Sequence, residues 1–470
     1  MEDSNQAQRQ QKTSNEDYLS EIRLETEIAQ IVPSADEASF TGKAKYRDDT
    51  ENLLDRIVHR DNMNEAVKRV IKNKGSHGID GMQVDELRPY LMEHGKDLVE
   101  MIIKGSYKPN PVKRVMIPKP DGSKRALGIP TVVDRVVQQA IHQELSKVFE
   151  PKFSNNSFGF RPGKSAHMAL QQAKTYINEG YKYVCDIDLE KFFDRVNHDK
   201  LMYLISKEVT DKRLLKLIRA YLSAGIMDNG VKVKSLEGTP QGGPLSPLLS
   251  NIMLNELDKE LERRGHKFCR YADDCNIYVK SKRAGQRVME SIKRFIEGGL
   301  KLKVNDLKSA VDSPTNRKFL GYSFFYTKNG IDFRVHKKSL EKLKDKIRKI
   351  TNRNISMNFE YRVAKLLEVT RGWVIYFKMA KMKKLMEQLD QWIRRRLRAC
   401  IWKTWKRIKT RAINLMKLGL SNSMAWEFAN TRKGYWRISN SPILSRTITN
   451  ERLINRGFVC MASLYQKYAV

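Results

Sequence analysis

Apolar residues recur every three or four positions through much of the chain, the spacing of helices that bury one face. Leu53, Leu54, Ile57, Ala66, Val67, Val70 and Ile71 begin this pattern, and Val136, Val137, Ala140, Ile141, Leu145 and Val148 repeat it over residues 134–149. Further helices are expected over residues 166–178, 198–208, 211–223, 248–263 and 285–296. Shorter apolar runs read as strands: 115–130, broken by a Pro120-Asp121-Gly122 turn; 184–187, running into acidic residues; 267–279, around a tight turn; 300–304; and a short hairpin at 318–324. Beyond His336 only helices are expected, over 337–350, 361–379 and 383–409, with the second interrupted at Gly372-Trp373. The fold class is therefore α+β. Four regions follow: a mobile polar extension over 1–50 with one short helix near 17–31, a mixed region over 51–330, a helical region over 331–410 and a small basic region over 411–470.

Chemistry enters at Arg270-Tyr271-Ala272-Asp273-Asp274-Cys275, where two adjacent carboxylates fall at the tip of a two-stranded ribbon. Such a pair repels itself and is stable when solvated or bound to a cation; a solvated turn is the ordinary outcome. A third carboxylate changes the picture, in Asp186-Ile187-Asp188-Leu189-Glu190-Lys191-Phe192-Phe193-Asp194, where a strand ends in acidic and then aromatic residues. Three carboxylates on neighbouring strand ends offer hard oxygens to two Mg²⁺ ions, with Mn²⁺ as a substitute. Two ions about 3.5–4 Å apart can activate a primer 3′-hydroxyl and stabilise the leaving pyrophosphate, which is nucleotidyl transfer.

Charge narrows the partners. The chain of 470 residues carries a formal +34, and its distribution is uneven: residues 1–50 hold 6 Lys and Arg against 11 Asp and Glu, residues 51–330 hold 49 against 34, and residues 331–470 hold 33 against 9. A surface with that excess repels itself unless it meets a polyanion, and nucleic acid is the usual one. No apolar run reaches the roughly 20 residues that span a bilayer, so no membrane partner and a cytosolic location are expected. The five cysteines are odd in number and scattered, which indicates neither a disulfide framework nor a zinc ribbon.

Other motifs fit a polynucleotide substrate, each beside a plainer reading. Lys119 and Arg125 flank the Pro-Asp-Gly turn and can converge on a triphosphate, or serve as surface charges. The loop over 153–165 sets Phe158 and Phe160 beside Arg161 and Lys164, a pattern for stacking and phosphate contact, or for core packing. Gly238-Thr239-Pro240-Gln241-Gly242-Gly243-Pro244 leaves room for a nucleotide to approach the backbone, or simply turns the chain into a helix. Lys308 lies on a polar segment that can reach an incoming nucleotide. Arg394-Arg395-Arg396-Leu397-Arg398, with Lys403 and Lys406 nearby, combines basic residues with Trp392, Trp402 and Trp405, as a nucleic-acid groove does.

In their order and spacing these motifs resemble those of bacterial group II intron-encoded reverse transcriptases, or maturases, over roughly residues 60–470. The segments that carry the likeness are 117–130, 157–162, 186–198, 238–258, Tyr271-Ala272-Asp273-Asp274, 319–322 and the basic stretch with Arg371-Gly372-Trp373. The resemblance implies a right-hand polymerase with fingers and palm, a helical thumb or maturase region and a small DNA-binding region. It implies Asp188, Asp273 and Asp274 as metal-binding catalytic carboxylates, with Asp186 structural or supporting. Phe193, or alternatively Phe192, would exclude the ribose 2′-hydroxyl and so favour dNTPs. Lys119 and Arg125 would hold the triphosphate, Gln241 and Gly242 would line the nucleotide pocket, and Lys308 would lie close by. Many members end in a His- and Cys-rich nuclease domain; this chain has no histidine after His336, so that domain is not expected.

The function expected is RNA-directed DNA synthesis together with binding of the parent intron RNA to assist splicing and mobility. The partners would be group II intron RNA, an RNA template with its DNA primer, target DNA and dNTPs, with no obligatory protein partner. Three alternatives stay open: a non-catalytic RNA-binding splicing factor that keeps the fold as a scaffold, a domesticated reverse transcriptase in host repair or phage defence, and an RNA replicase.

Overall fold

The structure is a computed structural model that describes residues 50–118, 122, 124–228, 230–233 and 237–469. The short helix expected near 17–31, the order of the polar extension and the position of Lys119 lie outside the described residues. The chain divides into two compact units. One comprises the described residues up to Ala169 together with Tyr183–Val311, and the other comprises Leu170–Lys182 and residues from Asp312 onward.

In chain order the first unit opens with α1 (Leu53–Val58), α2 (Arg60–Asn73) and α3 (Leu87–Ile103), then the strands β1 (Val112–Pro118) and β2 (Lys124–Ile129), and then α4 (Val132–Phe149). Thr131 starts α4: its hydroxyl oxygen accepts from the Asp134 amide and its O–H donates to the Asp134 carboxylate, a reciprocal cap. Helix α5 (Ala166–Asn178) passes from the first unit into the second. Next come β3 (Tyr183–Ile187), the single turn α6 (Phe192–Arg195), α7 (His198–Ser206) and α8 (Lys212–Ser223). Asp211 caps α8 by accepting from Arg213 and Leu214 and also accepts from the Leu54 amide, which ties α1 to it. The strands β4 (Ile226–Asp228) and β5 (Val231–Val233) were not legible in the sequence pattern. They extend the β1–β2 hairpin into a sheet of order β2-β1-β4-β5.

The sheet that matters most has the order β6-β7-β3-β8. It is built from β3, β6 (Lys267–Tyr271), β7 (Asp274–Val279) and β8 (Ala310–Asp312), with α9 (Ser246–Arg263) and α10 (Lys282–Gly299) as its helices. Strands alternate faces, so Phe268, Arg270, Cys275, Ile277, Cys185 and Ile187 share one side. That side is buried. Cys185 donates its thiol to the Gly285 carbonyl of α10, and burial pushes this thiol up to about 12. Burial likewise raises Cys269 and Cys275. The described cysteines are free, as the sequence implied.

One expected strand is absent. Over residues 300–304 Lys301 adopts a left-handed φ of 57°, which breaks the extended run; only Val304 makes a bridge, with Leu189.

The second unit contains the hairpin β9 (Tyr322–Thr327) and β10 (Gly330–Val335), longer than the one expected at 318–324, followed by α11 (Lys337–Ile350), α12 (Phe359–Tyr376) and α13 (Lys383–Thr404). Gly372 does not interrupt α12; a Cβ there would meet nothing within 4 Å, and Thr370 and Val374 keep the helix buried on either side. The long helix expected over 383–409 instead ends at Thr404, and α14 (Ile408–Lys417) begins a new direction. It is followed by α15 (Asn422–Ala429), α16 (Tyr435–Ile438), α17 (Pro442–Thr447), α18 (Asn450–Asn455) and α19 (Met461–Tyr468). Among the described residues no helix is long and apolar enough to cross a membrane.

Candidate active site

Strand register puts two of the carboxylates at neighbouring strand ends. Strands β3 and β7 are antiparallel and their last pair is Ile187 with Cys275, so continuing the register by one residue would set Asp188 opposite Asp274. Residues facing each other in this way have Cβ atoms about 4.5–5.5 Å apart and point to the same face. Tyr271 pairs with Asp274, which leaves Ala272 and Asp273 as a two-residue loop. Ala272 takes φ 57°, where such turns ordinarily use glycine. Asp186, opposite Asn276, lies on the same face two residues behind Asp188.

The backbone of Asp188 is clamped. Its amide donates to the Ser309 hydroxyl at 3.0 Å, its carbonyl accepts from the Asn305 amide at 2.8 Å, and the Glu190 amide donates to the Lys303 carbonyl at 2.8 Å. The same segment brings Lys308 Nζ to 3.8 Å from Asp188 Oδ1. Among the described residues no three acidic, His or Cys side chains are gathered as a ready-made metal set. The donors are nevertheless of the right kind, since three carboxylates at two adjoining strand ends supply the hard oxygens that Mg²⁺ prefers.

Behind the Asp-Asp turn lies a network that the sequence reading missed. Arg270 is fully buried, and its guanidinium grips both oxygens of Asp258 on α9 at 2.7 and 2.6 Å. It also donates to Asn251 Oδ1 at 3.1 Å, Ser157 Oγ at 2.7 Å and the Ala272 carbonyl at 2.9 Å, so it holds the turn itself. Burial raises the Asp258 carboxyl while Arg270 pulls it back down. The signal was available: Asn251, Asn255 and Asp258 stand four and three residues apart on one face of an otherwise apolar helix. The backbone of Arg270 pairs with the loop before α5, donating to the Asn156 carbonyl at 2.9 Å and accepting from the Phe158 amide at 2.8 Å.

The expected nucleotide-binding residues are joined by the glycine-rich loop. The Thr239 amide donates to the Phe193 carbonyl and the Gly128 amide to the Gln241 carbonyl, each at 2.7 Å. Gly238 has φ +90°, and a Cβ there would stand 2.9 Å from the carbonyl oxygens of Phe193 and Asp194; at Gly242 one would stand 2.7 Å from the Gly128 oxygen. The close approach these glycines permit is thus first to the chain's own backbone. Phe192 is buried at 2% exposure, whereas Phe193 is half-buried and packs partly against the core, its backbone carbonyl meeting the glycine loop. Arg125 is exposed on β2, two residues from Leu127, which touches the Gly242 position.

Several expected nucleic-acid contacts are corrected. The Arg161 side chain is 5% exposed and occupied within its own loop, donating to Glu150 Oε1 at 2.8 Å and to the Ser157 carbonyl at 2.9 Å. Arg398 is buried and donates to the Ile448 carbonyl at 2.8 Å and Asn450 Oδ1 at 2.9 Å. Both hold the fold together, as does the buried Trp402. Lys164 is half-buried, with Nζ 5.5 Å from the Phe158 ring centre. Arg371 and Lys406 are exposed. Arg394 and Arg395 are half-buried, Arg395 lying 3.9 Å over the Trp436 ring, and Lys403 lies 4.8 Å from the Tyr435 ring.

A sheet that ends one strand in an aspartate beside an Asp-Asp turn, backed by two helices, matches the polymerase palm that the resemblance implied. Comparison with known proteins specifies which kind. Residues 117–324 match the family model for reverse transcriptase (RNA-dependent DNA polymerase), and residues 340–419 match the maturase-specific domain of group II introns. Protein YkfC of Escherichia coli is 33% identical over 301 residues, 56% of this chain and 79% of that one. The group II intron-encoded protein LtrA of Lactococcus lactis is 31% identical over 352 residues, 61% of this chain and 57% of that one. A solved chain of a partial Cas6-RT-Cas1–Cas2 complex aligns at 24% identity and a TM-score of 0.34 over 56% of this chain and 46% of that one, which carries no argument. The chain belongs to the family of bacterial group II intron-encoded reverse transcriptases and maturases.

Proposed function

We propose that this protein copies RNA into DNA and binds a group II intron RNA, with Asp188, Asp273 and Asp274 as its catalytic carboxylates. The observation that supports the reading is the register of β3 against β7, whose last pair is Ile187 with Cys275; Asp188 and Asp274 are the next residue on each strand, and Asp273 is in the turn beside Asp274. These three would hold two Mg²⁺ ions, or Mn²⁺ in their place. When bound, the metals supply Lewis-acid activation of a primer 3′-hydroxyl and charge neutralisation at the triphosphate. The chain's own groups do the positioning. Arg125 and Lys119 would bind the triphosphate, Gln241 and Gly242 would border the base and sugar, and the Phe193 ring would fill the space of a ribose 2′-hydroxyl and so select dNTPs. Lys308, beside Asp188, would meet the nucleotide's phosphates. The basic second unit, with Arg371, Arg394, Arg395, Lys403 and Lys406, would bind intron RNA and target DNA to support splicing and mobility. The protein's proposed place of action is the bacterial cytosol, and the nucleoid when it acts on DNA.

Extension of a DNA primer on an RNA template tests this reading. Asp273→Asn combined with Asp274→Asn should lower extension by at least roughly a thousandfold while leaving RNA affinity within a factor of two or so. Undiminished extension by the double variant would refute the metal assignment, and equal use of rNTPs by the unaltered protein would refute the role of Phe193.

A further inference from the structure

Beside the catalytic turn one aromatic residue is held where the fold alone gives it no reason to be. Phe160 is 50% exposed and adopts φ +57°, a left-handed conformation disfavoured for a bulky side chain. Both of its flanks are fixed. A Cβ on Gly159 would stand 2.3 Å from the Ala272 amide nitrogen, so residue 159 lies backbone to backbone against the Asp-Asp turn. The Gly159 carbonyl is further pinned by the Asn251 amide at 2.9 Å. On the other side Arg161 is anchored by Glu150 and by the Ser157 carbonyl. Phe158, two residues earlier, is buried as core. Residue 160 is therefore over-determined by its neighbours, and its ring is turned outward at a strained angle, the signature of strain kept for a partner rather than for packing.

We propose that Phe160 is a stacking platform for a nucleobase of the strands bound beside the catalytic turn. The inference rests on the polymerase reading for the presence of those strands. The ligand chemistry is a flat, uncharged π-face, which an aromatic ring accepts irrespective of base identity. The base can belong to the template or to the primer, since both strands pass a polymerase turn. Phe160 is thus a positioning residue: it fixes the strand laterally while the carboxylates act on the terminus.

The test uses the full-length protein and a DNA primer annealed to an RNA template, with 2-aminopurine placed in one arm at the first unpaired template base and in the other at the primer terminus. Fluorescence on binding is compared for the unaltered protein, Phe160→Leu, Phe160→Gly and Phe160→Tyr. Expected are a fluorescence change in one arm that is lost in the Leu and Gly variants, affinity roughly tenfold weaker in both, and restoration by Tyr. The melting temperature of Phe160→Gly should hold or rise, because glycine accepts the left-handed angle. Equal affinity and equal fluorescence in both arms for Phe160→Leu would overturn the proposal, as would a marked loss of thermal stability in Phe160→Gly without rescue of binding by Tyr. An unaltered protein that shows Phe160-dependent fluorescence without extending the primer would sink the polymerase reading and leave this one standing. One that extends normally with Phe160→Leu unaffected would do the reverse.

Discussion

A guanidinium without solvent exposure must find partners for all five of its N–H groups, and Arg270 does: two on Asp258 and one each on Asn251, Ser157 and the Ala272 carbonyl. Removing one member of such a pair strands the other as an uncompensated buried charge, at about 3–5 kcal/mol, whereas replacing both with apolar residues can be nearly neutral. Arg270→Met should accordingly lower the melting temperature sharply, and Arg270→Met combined with Asp258→Leu should recover much of it. Primer extension should stay low in both, because the Ala272 carbonyl has lost its donor; recovery of activity along with stability would show that the pair serves stability alone. The three proposed aspartates stood out in the sequence because carboxylates at strand ends have few structural uses. Arg270 was not read, since an arginine before a turn ordinarily reads as surface, and the signal of its burial lies on another element, in the polar Asn251, Asn255 and Asp258 of the apolar helix α9. Arg161 and Arg398 failed for the same reason, in that a basic residue beside aromatics looks alike whether it meets phosphate or a carbonyl of its own chain.

Among the elements, the hairpin β9–β10 carries its own electrostatic lock. Burial acts to raise the Asp332 carboxyl, but Lys381 and Lys174 outweigh it and hold the group below the usual carboxylate range. A depressed folded value means that the stabilisation is fully present above the unfolded value of about 4 and is lost as the pH falls through the folded one. Asp332→Asn should cost on the order of 1 kcal/mol at pH 7 and should flatten the acid limb of the unfolding curve below about pH 4. Circular dichroism across that range checks this, and an unchanged acid limb would show that the lock contributes nothing. Most of the expected helices were read within a few residues because their apolar spacing persists over many turns; α3 was not read, and the helix expected over 383–409 ends at Thr404. Short strands were not read: β4 and β5 span three residues each, and in β5 Lys232 sits between two exposed valines, so no alternation marks them. The pairing of β4 with β1, and of β5 with β4, depends on register set elsewhere, which local sequence does not carry.

Across the whole molecule, charge and burial sort the basic residues into two classes. Exposed cations such as Arg371 and Lys406 are free to neutralise phosphates, and substituting either by Ala should lower the slope of log affinity against log salt by roughly 0.7–0.9. Arg398→Ala should leave that slope unchanged and instead lower the melting temperature, because it strands the Ile448 carbonyl and Asn450. RNA binding measured at several salt concentrations, paired with thermal denaturation, separates the two; a slope change for Arg398→Ala would contradict its assignment to the fold. The pattern of apolar residues suggested a mixed region up to 330 followed by a helical one, whereas the second unit begins at Asp312 and includes the hairpin β9–β10. The transfer of residues 170–182 to the second unit was not visible there, because it follows from which surfaces α5 packs against rather than from anything local.

The partners of Arg270 come from distant places along the chain, Ser157 lying 113 residues ahead of it and Asp258 only 12. A nascent polypeptide therefore cannot shape its Asp-Asp turn from neighbouring sequence alone, and must first close a loop of that length. Until then the guanidinium of Arg270 and the carboxylate of Asp258 lack the rest of their network, so the turn takes its final form only once the loop preceding α5 has docked.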